Sequence, residues 1–186
     1  MPESNITKRA LAESMKQLMA KKPFSKISIA EICESCGMNR KSFYYHFKDK
    51  YDLVNWIFYT GFVSHVDMNA YDSGIDLMDD ICRYFYEERK FYQEALRIEG
   101  QNSFREYFEE TIRPVTWIFV KDIFDVDEKG DFEKFFLAFF CDAFLNAIVR
   151  WLTDDTMDAD EFLKHTHRMI LTLAKKIVIQ AGNTET

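Results

Sequence analysis

The residues of this 186-residue chain that could carry chemistry concentrate in one short segment, residues 37–50, which reads GMNRKSFYYHFKDK. Three aromatic side chains and a histidine occupy four consecutive positions, and basic residues stand on both sides. Such a segment suits three roles: packing in a hydrophobic core, metal binding or acid–base catalysis at His46, or contact with a polyanion through cations and phenols.

Two short helices joined by a tight turn are predicted to position this segment. Ser28 and Glu31 have the spacing of a capping box, in which each side chain satisfies a backbone N–H group at the start of a helix. Gly37 stands where a left-handed residue ends that helix, and Asn39 is a good N-cap for the next. The sequence therefore predicts a helix-turn-helix whose second helix runs to about Phe47 and enters the major groove of DNA.

The helical period separates the inner side chains of this second helix from its outer ones. At about 100° per residue, Phe43 and Phe47 fall together and face inward. The exposed side, with its first turn and one flank, offers cations, a hydroxyl and phenols, from Arg40, Lys41, Ser42, Tyr44 and Tyr45. Lys and Arg neutralise phosphates or reach guanine edges, hydroxyl groups bond phosphate oxygens, and rings pack on thymine methyl groups. Ser28, at the N-terminus of the first helix, adds a position suited to a phosphate.

Metal and redox sites are alternatives for the histidine and the cysteines. His46 has no second ligand nearby in sequence, so packing between two helices is the favoured interpretation. Cys33 and Cys36 form a C-x-x-C, which fits half a zinc site or a redox pair. No second ligand pair follows, and the motif would close a helix rather than open one. These residues are therefore interpreted as small apolar side chains of a reducing compartment, and no metal, cofactor or catalytic residue is predicted.

Charge is distributed unevenly along the chain, whose net charge is -7. Residues 1–52 carry 10 basic and 6 acidic residues, and the remainder carries 14 and 25. The acidic total argues against indiscriminate nucleic-acid binding, whereas the basic head is a candidate for phosphate contact. No uncharged apolar run reaches 18 residues and no signal peptide is seen, so a cytoplasmic protein without membrane contact is predicted.

An all-α fold is predicted, because the chain is 47% hydrophobic but has only 6 Gly and 3 Pro for turns. Residues 1–50 are assigned to a helix-turn-helix DNA-binding domain, and residues 51–186 to a larger helical dimerisation and effector-binding domain. Pro114 is expected to bend or break a long helix that ends near Phe124.

Residues 132–152 read as a long helix that is apolar on nearly all sides, a pattern typical of burial on several sides. Five of its aromatic side chains are interpreted as core or dimer interface: Phe135, Phe136, Phe139, Phe140 and Phe144. A polar stripe formed by Asp142, Asn146 and Arg150 faces either solvent or a dimer partner.

Residues 7–62 resemble the N-terminal DNA-binding domain of the TetR family of bacterial transcription regulators. The match rests on TKRALAESMKQLMAKKPFSKISIAEICESCGMNRKSFYYHFKDKYDLV, and most strongly on residues 37–50. The resemblance implies contacts with double-stranded operator DNA at Arg40, Lys41, Ser42, Tyr44 and Tyr45, and phosphate contacts at Ser28 and Lys50. It also implies a helical body that dimerises through its last two helices and often holds a small-molecule inducer.

The carboxy-terminal part is similar to a branch of that family that includes regulators of dihydroxyacetone-kinase genes. The similarity lies in NWIFYTGF and ERKFYQEALRIEGQNSFREYF, and members of the branch act as activators through a protein partner. Arg97, Arg105 and Arg113 are candidates for binding an anionic effector, with surface pairing to glutamate as the favoured alternative.

Three functions follow as hypotheses. The first is a homodimeric repressor that binds a near-palindromic operator and responds to a ligand in the body. The second is an interaction module whose body docks a regulatory protein. The third is a helical enzyme with an aromatic pocket, for which the sequence offers no nucleophile paired with a base.

Overall fold

The structure is a computed structural model that describes residues 2–66, 71, 73–99, 104–124, 129–154 and 156–183. Within those ranges the regular structure consists of nine α-helices and a 3-10 turn at Phe24–Lys26, without a strand, so the all-α prediction is confirmed. In chain order the helices are α1 (Pro2–Met19), α2 (Ile29–Ser35), α3 (Arg40–His46), α4 (Lys50–His65), α5 (Gly74–Glu87), α6 (Arg89–Ala95), α7 (Phe104–Phe124), α8 (Asp131–Asp154) and α9 (Ala159–Asn183).

Local capping signals fix the ends of the helix-turn-helix. The Ser28 hydroxyl accepts from the Glu31 N–H, and the Glu31 carboxylate accepts from the Ser28 N–H, so the capping box is complete. Gly37 has a φ of 67°, a backbone conformation that glycine adopts without steric cost. Asn39 Oδ1 accepts from the Ser42 N–H at 2.9 Å and starts α3. The predicted helix–turn–helix is therefore present at the predicted positions.

The described residues divide into two compact units. The first comprises Met1–Asp67 and Glu88–Thr111, and the second comprises Met68–Glu87 and Ile112–Thr186. The first unit thus holds α1 to α4, α6 and the beginning of α7, and the second holds α5, the rest of α7, α8 and α9. The functional division at residue 50 stays a prediction.

The core of the first unit closes around the helix-turn-helix. Leu11 and Met15 of α1, Ile32 of α2 and Phe43 of α3 are fully buried. The buried Ser14 hydroxyl donates to the Ile32 carbonyl at 2.8 Å and ties α1 to α2. Because interiors pack at nearly crystalline density, these contacts leave α3 one orientation against α1 and α2.

An aromatic cluster extends this core around Phe58 of α4. Ring centroids of five neighbours lie 5.3 to 6.1 Å from the Phe58 centroid, those of Phe62, Tyr92, Phe104, Tyr107 and Phe108. Several of these pairs are edge-to-face, a geometry that adds about 0.5–1.5 kcal/mol per pair to the burial of the rings. Helices α4, α6 and the start of α7 are thereby held together.

The second unit packs α5 against α8 and α9. Trp151 of α8 stacks on Phe162 of α9 with ring centroids 4.2 Å apart, and its Nε1–H donates to the Met157 carbonyl at 3.0 Å. The sequence predicts that Pro114 bends or breaks α7. The helix runs through Pro114 without a break, so a break does not occur. Proline costs one backbone hydrogen bond there, and Ile112 and Phe119 on either side of it are buried.

Helix α8 is less buried than its composition predicts. Phe132, Phe135 and Phe139 are 70, 67 and 58% exposed, so assignment to the core is wrong for Phe135 and Phe139, and assignment to an interface stays a prediction. Phe136, Phe140 and Phe144 are half-buried. By length and apolar composition alone α8 could cross a membrane, and 44% of its most apolar window is buried in the protein.

Candidate nucleic-acid interface

Helix α3 presents the residues of the opening motif in two directions. Phe43 and Phe47 are buried, whereas Tyr44 and Tyr45 are 53 and 82% exposed. Arg40 and Lys41 are also exposed. Two cations and two phenols of one short helix are therefore available to a polar, anionic partner.

Ser42 forms hydrogen bonds within the chain that the sequence did not predict. Its N–H donates to Asn39 Oδ1 at 2.9 Å, and its hydroxyl donates to the same oxygen at 3.3 Å. The side chain is half-buried. A contact from Ser42 to DNA, which stays a prediction, would use the lone pairs that the hydroxyl retains.

Ser28 lies in a small ionic network at the start of α2. Its hydroxyl donates to Glu31 Oε2 at 2.9 Å, and the Lys22 ammonium pairs with the other oxygen of the Glu31 carboxylate. The hydrogen bond from Lys22, followed by those from Ser28, lowers the pKa of Glu31 to about 2. A carboxylate thus already occupies part of the position proposed for a phosphate, which the sequence pattern alone did not show.

The Lys50 side chain contacts the segment that connects α1 to α2. Its ammonium donates to the carbonyls of Phe24 and Ile27, each at 2.9 Å, and lies 4.2 Å from the centroid of the Phe24 ring. Burial lowers the pKa of this half-buried group. An ammonium has three donors, so one N–H is left for the phosphate contact that the family resemblance implies.

Two further lysines fasten α1, and no pattern in the sequence indicated either role. The Lys8 ammonium lies 5.7 and 5.8 Å from the ring centroids of Trp56 and Phe47. Lys16 pairs with Glu88 at 2.7 Å. Contacts between positions so far apart in the chain leave no spacing pattern that a single sequence reveals.

His46 packs against a neighbouring ring, the thiol of Cys33 is buried, and that of Cys36 is half-buried. His46 is half-buried, with its ring 4.9 Å from that of Tyr45. The Cys36 thiol donates to the Ile32 carbonyl at 3.3 Å, and burial raises the pKa of both the Cys33 and Cys36 thiols. In the part of the chain that the structure describes, no group of three metal-ligating side chains could hold a metal ion.

The three arginines proposed for an anionic effector are exposed and engaged in ion pairs. Arg97 contacts Glu94 at 3.0 Å, Arg105 contacts Glu109 at 2.7 Å, and Arg113 contacts Asp142 at 2.5 Å. Surface pairing is therefore the interpretation that the geometry favours. The partner of Arg113 is an aspartate of α8 rather than a neighbouring glutamate.

Two family models match the chain, and together they define its class. Residues 7–57 match the model of bacterial regulatory proteins of the tetR family, and residues 73–172 match a C-terminal region of transcriptional regulators of the same family. The chain therefore belongs to the TetR family and is a DNA-binding transcriptional regulator.

The proteins similar to this chain include transcriptional activators and a repressor, according to their names. The HTH-type dhaKLM operon transcriptional activator DhaS of Lactococcus lactis subsp. lactis is 28% identical over 158 residues, which are 81% of each chain. A solved structure of the dihydroxyacetone kinase operon activator DhaS has a TM-score of 0.68 at 21% identity and covers 91% of this chain and 97% of its own.

NalD, the secondary repressor of the MexAB-OprM multidrug efflux pump in Pseudomonas aeruginosa, has a TM-score of 0.64 at 17% identity. That likeness covers 91% of this chain and 96% of the other. At these identities the two solved structures are evidence of a shared fold.

Proposed function

We propose that the protein is a homodimeric repressor that binds a near-palindromic, double-stranded DNA operator through α3. The observation that carries the proposal is the exposed face of α3, where Arg40, Lys41, Tyr44 and Tyr45 stand beside one another on a helix held by buried Phe43. Cations and phenols of this kind bind phosphates and base edges. Ser28, Ser42 and Lys50 complete the proposed contacts.

Dimerisation supplies the second recognition helix. Helix-turn-helix dimers read two half-sites about 34–36 Å apart, and one copy of α3 is too short to specify a whole operator. The exposed phenylalanines of α8 support the proposal that the last two helices form the interface, because aromatic side chains are enriched in the centres of interfaces.

Repression is proposed because a protein can repress by occupying a promoter alone. DNA binding by the exposed face of α3 would be enough for that. Activation requires a further contact with another protein, and a relative whose name contains "activator" makes it the second candidate. In that alternative the exposed face of α8 docks a regulatory protein. A cytoplasmic location, modulation by a ligand in the body and the lack of catalytic activity belong to the same proposal.

The direct test uses fragments of the gene's own promoter. The purified full-length protein should protect a near-palindromic site, and its affinity should fall steeply with salt because phosphate contacts release counterions. A promoter reporter in cells with and without the gene gives the sign of regulation. The proposal is contradicted if the protein does not bind the promoter fragments, or if its affinity for them does not change with salt concentration.

A further inference from the structure

The exposed side of α3 divides into a central column and a flank. At about 100° per residue, Lys41 and Tyr45 lie one turn apart and opposite the buried Phe43. Arg40 and Tyr44 form a second pair to one side of them. Tyr45 is 82% exposed and Tyr44 is 53% exposed, which agrees with this division. When α3 lies in a groove, the central column therefore faces the base edges and the flank faces a wall, where the phosphates are.

The segment around α3 lacks a side chain that can form a bidentate pair with adenine. Such a pair needs the oxygen and the nitrogen of an Asn or Gln carboxamide. Residues 37–48, all of which the structure describes, contain a single carboxamide, that of Asn39. Its Oδ1 accepts from the N–H and the hydroxyl of Ser42, at 2.9 and 3.3 Å. A carboxamide oxygen has two lone pairs, so both are used inside the helix cap.

Cytosine likewise lacks a bidentate partner in this segment. Its amino group is read by the carboxylate of Asp or Glu, and residues 37–48 contain neither. The hydroxyl groups of Ser42 and of the two tyrosines can form single hydrogen bonds, without the second contact that fixes one base. Specific readout by this face therefore depends on donors and on apolar ring surfaces.

Guanine suits the cation of the central column. Its N7 and O6 atoms are both acceptors on the major-groove edge, and a Lys or Arg side chain contacts them together. Lys41 is exposed and stands in the first turn of α3, the part of a recognition helix that contacts base edges. An ammonium has donors alone, so it favours a base that offers acceptors alone.

Thymine suits the ring of the central column, because its 5-methyl group is the apolar group on the major-groove edge. The Tyr45 ring meets the His46 ring edge-on, with centroids 4.9 Å apart and planes at 84°. His46 is half-buried, so the protein contacts one side of the tyrosine and leaves the rest of its ring to a partner. A ring that is positioned before binding packs on a methyl group at a lower cost in entropy.

We propose that the central column selects an operator half-site with a guanine, read by Lys41, and a thymine, read by Tyr45, and that it pairs with no amino group of adenine or cytosine. The inference rests on the proposed function, in which α3 binds the operator. The two residues are roughly 6 Å apart along the helix axis, and bases follow one another at about 3.4 Å. The guanine and the thymine therefore lie within about two base pairs of each other.

The first experiment replaces single purines of the operator that footprinting defines, and measures its affinity for the full-length protein by fluorescence anisotropy. 7-Deazaguanine lacks the N7 acceptor of guanine and keeps Watson–Crick pairing. At the guanine that Lys41 reads, it should lower affinity about fivefold or more. 7-Deazaadenine makes the same change in the other purine and is the matched control, which should leave affinity unchanged at every adenine of the half-site.

The second experiment replaces single thymidines of the half-site by deoxyuridine, which lacks the 5-methyl group. At the thymine that Tyr45 reads, affinity should fall about threefold or more, as expected when a methyl group is removed from an apolar contact. This position should lie within about two base pairs of the sensitive guanine.

Variants at exposed positions assign each effect to its side chain. Tyr45→Ala should bind the thymidine and deoxyuridine operators equally, whereas Tyr45→Phe keeps the ring and should keep the difference. Lys41→Met should bind the guanine and 7-deazaguanine operators equally. Arg40→Met removes a charge from the flank, so it should weaken binding and keep the guanine preference. Because these side chains are exposed, the variants should fold as the wild type does.

Equal losses with 7-deazaguanine and 7-deazaadenine overturn the proposal, as does a methyl effect that survives in Tyr45→Ala. Either result from a protein that protects a near-palindromic operator contradicts the base assignment alone. If no promoter fragment is bound, the proposed function fails, and the same analogues are placed in the sequence that the protein enriches from random DNA. The expected sensitivities there uphold the base assignment, and enrichment of no sequence overturns it as well.

Discussion

Helices α3 and α8 both expose aromatic side chains, but with different chemistry around them. The rings on α3 are tyrosines flanked by Arg40 and Lys41, whereas Phe132, Phe135 and Phe139 on α8 have no polar atoms of their own. A phenol keeps a hydrogen bond in a wet interface, and a phenyl ring gains only when water leaves. The difference shows that aromatic exposure alone does not define a partner: α3 suits an anionic, hydrated one, and α8 suits a dry one.

The two helices also differ in what lies behind them. Fully buried Phe43 anchors α3 to a closed core, while α8 borders a cavity of about 400 Å³. A recognition surface that reads base edges needs fixed geometry. The second unit therefore differs from the first in leaving unfilled space beside one of its exposed helices.

Loss of the anchor behind α3 should have the largest effect. Phe43→Ala removes a fully buried ring and should lower the free energy of unfolding by about 3–5 kcal/mol, measured by urea denaturation. Tyr45→Ala, two residues away and mostly exposed, should change it by about 0.5 kcal/mol or less. Equal destabilisation by the two variants would show that α3 is not divided into an anchoring and a presenting side.

On α8, truncation of an exposed ring should weaken association rather than folding. Phe139→Ala should reduce the free energy of dimerisation by about 1.5–3 kcal/mol per copy if the ring becomes fully buried, as measured by sedimentation equilibrium. Lys134→Ala, exposed on another side of the helix, serves as the control. An unchanged dimer would assign the aromatic stripe to a different partner.

On α3, truncation of an exposed cation should weaken DNA binding rather than association. Lys41→Ala or Arg40→Ala should cost about 1–3 kcal/mol of operator affinity if the residue reads a base, and less if it contacts a phosphate. Fluorescence anisotropy with operator and scrambled DNA distinguishes the two. Lys164→Ala on α9 makes the same change in net charge, and a comparable loss from it would point to a nonspecific effect.

Lys50 should show a smaller, sequence-independent effect. If its free N–H contacts a phosphate, Lys50→Ala weakens binding to every sequence and lowers the salt slope by about 1. If the ammonium serves only the carbonyls of Phe24 and Ile27, the variant loses stability and its salt slope is unchanged. Affinity titrations at several salt concentrations, together with denaturation curves, separate these outcomes.

The smallest effect expected is a pH dependence at Glu31. Its pKa falls from 4.5 to about 2 on folding, so the charged carboxylate stabilises the fold above pH 4.5, and this contribution is lost as the pH falls to about 2. Glu31→Gln should lack that part of the acid dependence in denaturation curves recorded across this range. Parallel wild-type and variant curves would exclude a folding role for the Lys22–Glu31 pair.

Local signals account for what the sequence predicted correctly. The ends of α2 and α3 follow from Ser28, Gly37 and Asn39, whose effects reach only a few residues. The burial of Phe43 and Phe47 follows from the helical period. These are the features that position the proposed DNA-binding face, and each one depends on neighbours within a single helix or turn.

Contacts over long separations account for what the sequence missed. The carbonyl partners of Lys50 lie 26 and 23 residues away, and Glu88 lies 72 residues from Lys16. Phe135 and Phe139 belong to an apolar run whose composition is the same whether a side chain packs inside the chain or faces outward. The cavity depends on the meeting of α7, α8 and α9, and no spacing within one of these helices predicts it.

The position of the Lys50 ammonium has a consequence for the entropy of the phosphate contact proposed for it. A free lysine side chain loses about 2 kcal/mol of rotamer entropy when it is fixed. Here two hydrogen bonds to backbone carbonyls fix it during folding, before any DNA arrives. If the proposed phosphate contact forms at the remaining N–H, the phosphate does not have to order the side chain, and the free energies of folding and of operator binding are then coupled at this one residue.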